Sequence, residues 1–303
     1  MTCVKASPQS LSDHGLPRGG PSPMKDILLH IDSYPDSTPP EAIDQAVRFA
    51  GAVGASLTAL AVQVDLQAPG NWLADRLINL RGVCAEQEAK SLAACQEALR
   101  VFEGCLAKHK VGGEGRLTKA DLYLVGNHVA LQARTRDLCL VPMMDRLDGQ
   151  RGIAEAIVFG SGRPVLLYRP GIADLLGGGL STAVLAWDGS RTAARALADA
   201  LPVLLKARQV RVLTVMNDKP EARSGIADDV LRHLKAHGID AVVDEVDGSR
   251  RKTGEVFADY AAQHKSDLFV MGAYGRSRVR EFILGGATEH MLHDPKVPLL
   301  LSH

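Results

Sequence analysis

Ala183-Val184-Leu185-Ala186-Trp187-Asp188 repeats an earlier stretch, Ile27-Leu28-Leu29-His30-Ile31-Asp32, and this pair decides the fold. Each is a short apolar run that closes on an aspartate and is followed by turn residues and a helical pattern. In the first copy Ile43, Ala46, Val47, Ala50 and Val53 recur at helical spacing. Thr38 is the expected N-cap there, with Pro39 at the first helical position and Glu41 completing a capping box. In the second copy Ala194, Leu197, Ala198, Leu201 and Leu205 recur in the same way, and Pro202 is expected to kink the helix. Strand-like runs follow at residues 57–64 and 210–215.

The copies align again further on. Arg136-Asp137-Leu138-Cys139-Leu140-Val141-Pro142 matches Ser266-Asp267-Leu268-Phe269-Val270-Met271-Gly272, and Arg163-Pro164-Val165-Leu166-Leu167 matches Val297-Pro298-Leu299-Leu300-Leu301. Asp32 and Asp188 lie 156 positions apart and Asp137 and Asp267 130, so the first copy carries 26 extra residues between these points. Pro164 and Pro298 lie 134 apart, so the first copy then lacks four. The extra residues fall around 66–113, where 73–109 reads as one long helix of strong helix formers, ended by Gly112-Gly113. Short apolar strands alternating with helices imply parallel sheets covered on both faces. The expected class is therefore α/β, with two tandem doubly wound sheets and any ligand at the carboxyl ends of the strands. The expected domains are 24–170 and 181–303, joined by a linker at 171–180 that contains Gly177-Gly178-Gly179. Residues 1–23 are rich in Pro, Ser and Gly and have no apolar signal core, so they read as a disordered leader. Met24 is a second candidate start beside Met1.

Composition narrows the function. The 303 residues hold 35 Lys+Arg and 35 Asp+Glu, so no global field draws the chain to nucleic acid or anionic lipid. Aromatics are only 4%, which leaves little for stacking on single strands. No apolar run approaches the ~18 residues of a membrane span. Cys3, Cys84, Cys95, Cys105 and Cys139 are odd in number and form no C-x-x-C pair, so reduced thiols and a cytoplasmic location are expected.

The most distinctive segment follows the fourth strand of the second copy. Met271-Gly272 continues as Ala273-Tyr274-Gly275, runs nine residues from Arg276 to Leu284, and reaches Gly285-Gly286-Ala287-Thr288 before a helix expected over 287–293. Gly272 and Gly275 are free to take positive φ and let the backbone approach a ligand. Gly285 and Gly286 precede a helix whose unpaired N–H groups and positive end suit a phosphate. Thr288 adds a hydroxyl, and Arg276, Arg278 and Arg280 add cations. A glycine-rich surface loop is the plainer account of these glycines taken alone.

With Trp187-Asp188-Gly189-Ser190, the strand at 210–215 and the closing Val297-Pro298-Leu299-Leu300, these residues make the second copy resemble the universal stress protein family. The whole chain resembles a tandem member. The resemblance covers 181–303 well and 24–170 more loosely. It implies an adenine nucleotide alpha hydrolase-like fold, with five parallel strands in the order 3-2-1-4-5, and pairing of the last strands of the two copies across a pseudo-twofold. It implies that ATP, with magnesium as a further candidate, binds in the second copy. Asp188 would lie by the ribose or a phosphate-bound metal, and Val215 would offer its backbone to the adenine. Met271 and Gly272 would line base and ribose, and Gly275, Gly285, Gly286, Ala287 and Thr288 would wrap the phosphates, with Arg276 nearby. Gly286 departs from the Ser or Thr usual there, and Arg278 stands where glycine is common.

The first copy looks degenerate. Pro142 replaces Gly272, the loop is four residues shorter, and Gly152 and Glu155 align with Gly286 and Glu289. Gly160-Ser161 falls at the wrong end of the helix. Only the second copy is expected to bind nucleotide. There is no P-loop and no G-x-S-x-G elbow, and Asp188-Gly189-Ser190 stands where ATP-cleaving relatives of this architecture carry Ser-Gly-Gly. His290 and His293 read as solvated helix residues, Arg250-Arg251-Lys252 as a solvated turn, and Leu92, Leu99 and Leu106 as core or interface. Three functional classes remain: an ATP-binding regulatory protein of the stress response, a nucleotide-free interaction scaffold, and a slow ATP hydrolase. Further homodimerisation is not legible.

Overall fold

The computed structural model describes residues 23–66, 79–144, 147–171, 179–217, 225–249, 251–273 and 286–303. Residues 1–22, read from sequence as a leader and including Cys3, residues 73–78, read as the start of the long helix, and most of the expected linker lie outside them. The first half runs β1 (Asp26–Ile31), α1 (Pro40–Val53), β2 (Ser56–Asp65), α2 (Leu80–His109), β3 (Gly113–Asp121), a 3-10 turn (Leu122–Leu124), α3 (Val125–Ala133), β4 (Leu138–Pro142), α4 (Leu147–Ser161) and β5 (Val165–Tyr168). The second runs β6 (Leu180–Ala186), α5 (Arg191–Leu204), β7 (Ala207–Met216), α6 (Asp228–Ala236), β8 (Ala241–Asp247), α7 (Thr253–Gln263), β9 (Leu268–Gly272), α8 (Gly286–His293) and β10 (Leu299–Ser302).

The strands form one ten-stranded sheet in the order β3-β2-β1-β4-β5-β10-β9-β6-β7-β8. Each half is parallel within itself, and β1 and β6 start the crossovers to either side. At the centre β5 and β10 pair antiparallel, Leu167 against Leu299, Leu166 against Leu300 and Val165 against Leu301. These six side chains are fully buried. Two short apolar edges are thereby removed from water, and the sheets of the two copies become one. Alternation along the strands feeds two cores. Ile27, Leu29, Val210 and Val212 face one side, and Leu28, Leu213, Met271 and Leu301 face the other. Among the described residues no helix is long and apolar enough to cross a membrane.

Local expectations change at several points. Thr38 does not cap α1: Pro39 is the N-cap and gives no side-chain bond. The Thr38 hydroxyl instead accepts the Asp32 amide at 2.9 Å, and the Thr38 amide returns to the Asp32 carbonyl at 3.0 Å. It clasps the loop that leaves β1, so the capping box is not made. Pro202 falls in the last turn of α5, which ends two residues later. Helix α2 is closed by Lys110 in the left-handed conformation (φ 56) rather than by glycine. Gly113 opens β3, where a Cβ would come within 2.2 Å of the Leu57 carbonyl oxygen.

The added length of the first half is mainly α2, thirty residues where α6 has nine. Its buried stripe is Ser91, Cys95, Ala98, Phe102 and Cys105, with Leu99 and Leu106 packed at the margin. A polar pin fixes it. The Ser91 hydroxyl lies 2.7 Å from that of Ser33 and accepts the Val64 amide at 3.0 Å. A second clamp joins α2 to α1, where Lys108 and His109 reach Asp44 at 2.9 and 2.8 Å. Burial raises the Asp44 pKa, but the hydrogen bonds from His109 and Lys108 outweigh it and hold the carboxyl at about 2. A depressed carboxylate stabilises the fold above its unfolded pKa and loses that contribution as pH falls. Melting temperature measured from pH 5 down to pH 2 should therefore fall more steeply in the wild type than in Asp44→Asn, with the difference opening below about pH 4.

Candidate functional site

The clearest cleft lies at the carboxyl ends of β6, β7 and β9, where the strand order of the second half reverses. It measures about 380 Å³, within the ~300–1,000 Å³ of small-molecule pockets. Ala186, Leu213, Val215, Phe257 and Met271 make the apolar wall, and Asp188, Ser190, Thr192, Lys252, Thr253 and Thr288 the polar one. Gly272, Gly286 and Ala287 also line it. Seven residues singled out from sequence are thus brought together: Asp188, Val215, Met271, Gly272, Gly286, Ala287 and Thr288. Gly275, Arg276 and Gly285, with Arg278 and Arg280, lie outside the described residues.

The loop after β6 is built by its own short-range bonds. The Asp188 carboxylate accepts the Ser190 amide at 3.0 Å, and Gly189 takes φ 73 to allow the turn. The Ser190 hydroxyl caps α5 by accepting the Ala193 amide at 3.1 Å. The Trp187 indole donates to the Ile226 carbonyl at 3.2 Å and pins the end of the strand. Asp188 is therefore held half-buried at the cleft.

Gly272 serves a different purpose from the one expected. It does not take positive φ. A Cβ there would come within 2.5 Å of the Thr192 carbonyl carbon and 2.7 Å of the Ala193 nitrogen. The glycine lets the end of β9 touch the start of α5, and so brings Asp188 and Met271 to one cleft. At Gly286, by contrast, no described atom lies within 4 Å of a Cβ. It is the first residue of α8, one earlier than expected, so its N–H and those of the next residues are donors that the helix itself does not satisfy.

Lys252, expected as part of a solvated turn, lines this cleft at the N-cap of α7. Its ammonium has no acidic partner among the described residues. Phe257, one turn further on, adds the aromatic wall. Both follow from topology: α7 leaves β8, so it starts at the same end of the sheet as α5 and α8. A basic residue directly before a helix was the available signal.

The first half holds the corresponding place shut. His30 stands where Ala186 stands in the second half, and lies 3.1 Å from Asp32. Gln150 donates to the other Asp32 oxygen at 3.1 Å and accepts the Met144 amide. Asp32 is only 8% exposed. Helix α4 begins at Leu147, so Gly152 is inside it rather than at its start. Its N–H has no counterpart to the open turn at Gly286. Gly160 and Ser161 end α4, away from the strand ends. His290 and His293 are exposed, and no cluster of three metal-ligating side chains forms among the described residues.

The family model described as "Universal stress protein family" matches residues 179–303. No curated protein sequence matches the chain. A universal stress protein from Archaeoglobus fulgidus superposes with a TM-score of 0.64 at 15% identity, over 91% of this chain and 97% of that one. A protein of unknown function from Pseudomonas aeruginosa gives 0.52 at 12% identity, over 92% of each. A universal stress protein family protein from Arabidopsis thaliana, solved with AMP bound, gives 0.33 at 15% identity over 48% of this chain and 92% of that one. The first two of these likenesses concern the fold.

Proposed function

We propose, from the match of residues 179–303 to the universal stress protein family model, that the cleft of the second half binds an adenine nucleotide, ATP first, as a regulatory ligand. The observation that carries the reading is that Asp188, Lys252 and the start of α8 meet around an apolar wall. Phosphates would lie against the N–H groups of Gly286, Ala287 and Thr288, where the helix dipole favours negative charge. The base would lie against Val215, Leu213 and Phe257, and Asp188 would take a ribose hydroxyl or a magnesium ion on the phosphates. Lys252 supplies a cation that compensates for what Gly286 lacks. We take 24–170 and 181–303 as the two domains, with the first a structural partner whose own site is filled by His30 and Gln150.

Binding rather than turnover is the role proposed, because Asp188, the one carboxylate lining the cleft among the described residues, already accepts the Ser190 amide. Calorimetric titration of the full chain with ATP tests this: one site per chain is expected, and two sites or none would end the reading. Gly286→Ser restores a hydroxyl into free space and should tighten ATP about tenfold through one charge-assisted hydrogen bond. If Gly286→Ser and wild type both fail to bind, the interaction-scaffold reading takes its place.

A further inference from the structure

A second cavity lies at the other end of α7 and α8, on the face away from the strand ends. It measures about 440 Å³ and is lined by Ala258, Ala261, Met291 and Val297 on its apolar side. Its polar lining has a definite sign. Asp294 is already engaged by Arg169 at 2.7 Å and Lys296 at 2.6 Å. Lys265, His290 and His293 also line it, and none has an acidic partner among the described residues. The nearby helix end does not cancel them, because the Tyr260, Ala261 and Ala262 carbonyls already accept amides from His264, Lys265 and Ser266.

Ser266 also lines the cavity, and its hydroxyl, shielded from solvent, has no hydrogen-bond partner among the described residues. A buried hydroxyl left unmatched costs about 1–3 kcal/mol, so it invites an acceptor. The first half has no such arrangement. Arg136 stands at the position of Ser266 and is paired with Asp26 at 2.6 Å. There Arg134 donates to the Gly160 carbonyl and Arg163 to the Arg134 carbonyl, lacing the helix ends together.

We propose that this cavity binds a small organic anion, a carboxylate carried on a compact apolar body. The body packs against Ala261, Met291 and Val297. The carboxylate faces Lys265 and His293, and accepts from the Ser266 hydroxyl once that side chain turns into the cavity. The site is separate from the nucleotide cleft and does not depend on it.

Benzoate is the probe, with benzylamine as its charge-reversed control, added to the full chain carrying methyl-13C methionine. Met291 lines this cavity and Met271 the nucleotide cleft, so their methyl signals report the two places separately, each assigned by its Met→Leu variant. The expected result is a saturable shift of Met291 with benzoate and none with benzylamine. Lys265→Glu, a change at an exposed side chain, should weaken benzoate about fivefold or more. Ala261→Leu should abolish the shift by filling the cavity. No Met291 shift, an equal response to benzylamine, a shift at Met271 alone, or a Lys265→Glu affinity equal to wild type would each overturn the proposal.

Discussion

Ala186→His should lower ATP affinity by about 100-fold or more while leaving the melting temperature within a few degrees of wild type. Ala186 ends β6 and its small side chain lines the apolar wall of the cleft. The first half shows what the larger residue does, for His30 stands at that position, is 1% exposed, and bonds to the aspartate of its own strand. An imidazole at 186 would occupy the space of the base and engage Asp188. A hundredfold loss corresponds to about 2.7 kcal/mol, which is within reach of steric exclusion combined with a diverted polar group. Because the cleft is open, the added ring need not overpack the core. Calorimetry with ATP beside a thermal melt reads both quantities. Unchanged affinity would show that nucleotide, if it binds, does so elsewhere.

Leu300→Asp should be the most damaging single change in the chain. Leu300 is fully buried at the seam, opposite Leu166. A carboxylate there must be desolvated in the core on one face of the shared sheet, with no cation placed for it among the described residues, and the loss should exceed about 4 kcal/mol. At roughly 2–4 °C per kcal/mol for a chain of this size, the melting temperature should fall by more than about 8 °C. Leu117→Asp is the control. Leu117 lies on the outer strand β3 and is 42% exposed, so its cost should stay near about 0.5 kcal/mol. Equal melting temperatures for the two variants would mean that the seam contributes little to stability. The same seam explains why the halves are best tested together, since separation would expose Val165–Tyr168 and Leu299–Ser302 as open edges.

The repeated Asp32 and Asp188, the matching strand ends and the glycine spacing were readable because they are local. A strand needs a run of apolar residues, a helix needs spacing, and both are written contiguously. Turn chemistry was less readable. Thr38 satisfies the sequence rule for a cap, yet its hydroxyl is drawn to the Asp32 amide, because the loop brings that donor nearer than the helix start. Lys252 looked like surface charge and lines the cleft, because only the parallel topology places the start of α7 beside Gly286. Gly272 looked like a residue kept free for a ligand, and its need is close packing on Thr192, whose carbonyl carbon would lie only 2.5 Å from a Cβ at this position.

By itself the sequence determined two copies of one α/β plan, the residues that end their strands, and the half that carries the distinctive glycine spacing. Tertiary structure alone decided that the copies share one sheet, that His30 and Gln150 close the first site, and that α7 and α8 hold a second cavity. The physical reason is range. Propensity and periodicity act between neighbours, whereas filling or leaving a space depends on side chains more than a hundred positions apart, such as Asp32 and Gln150.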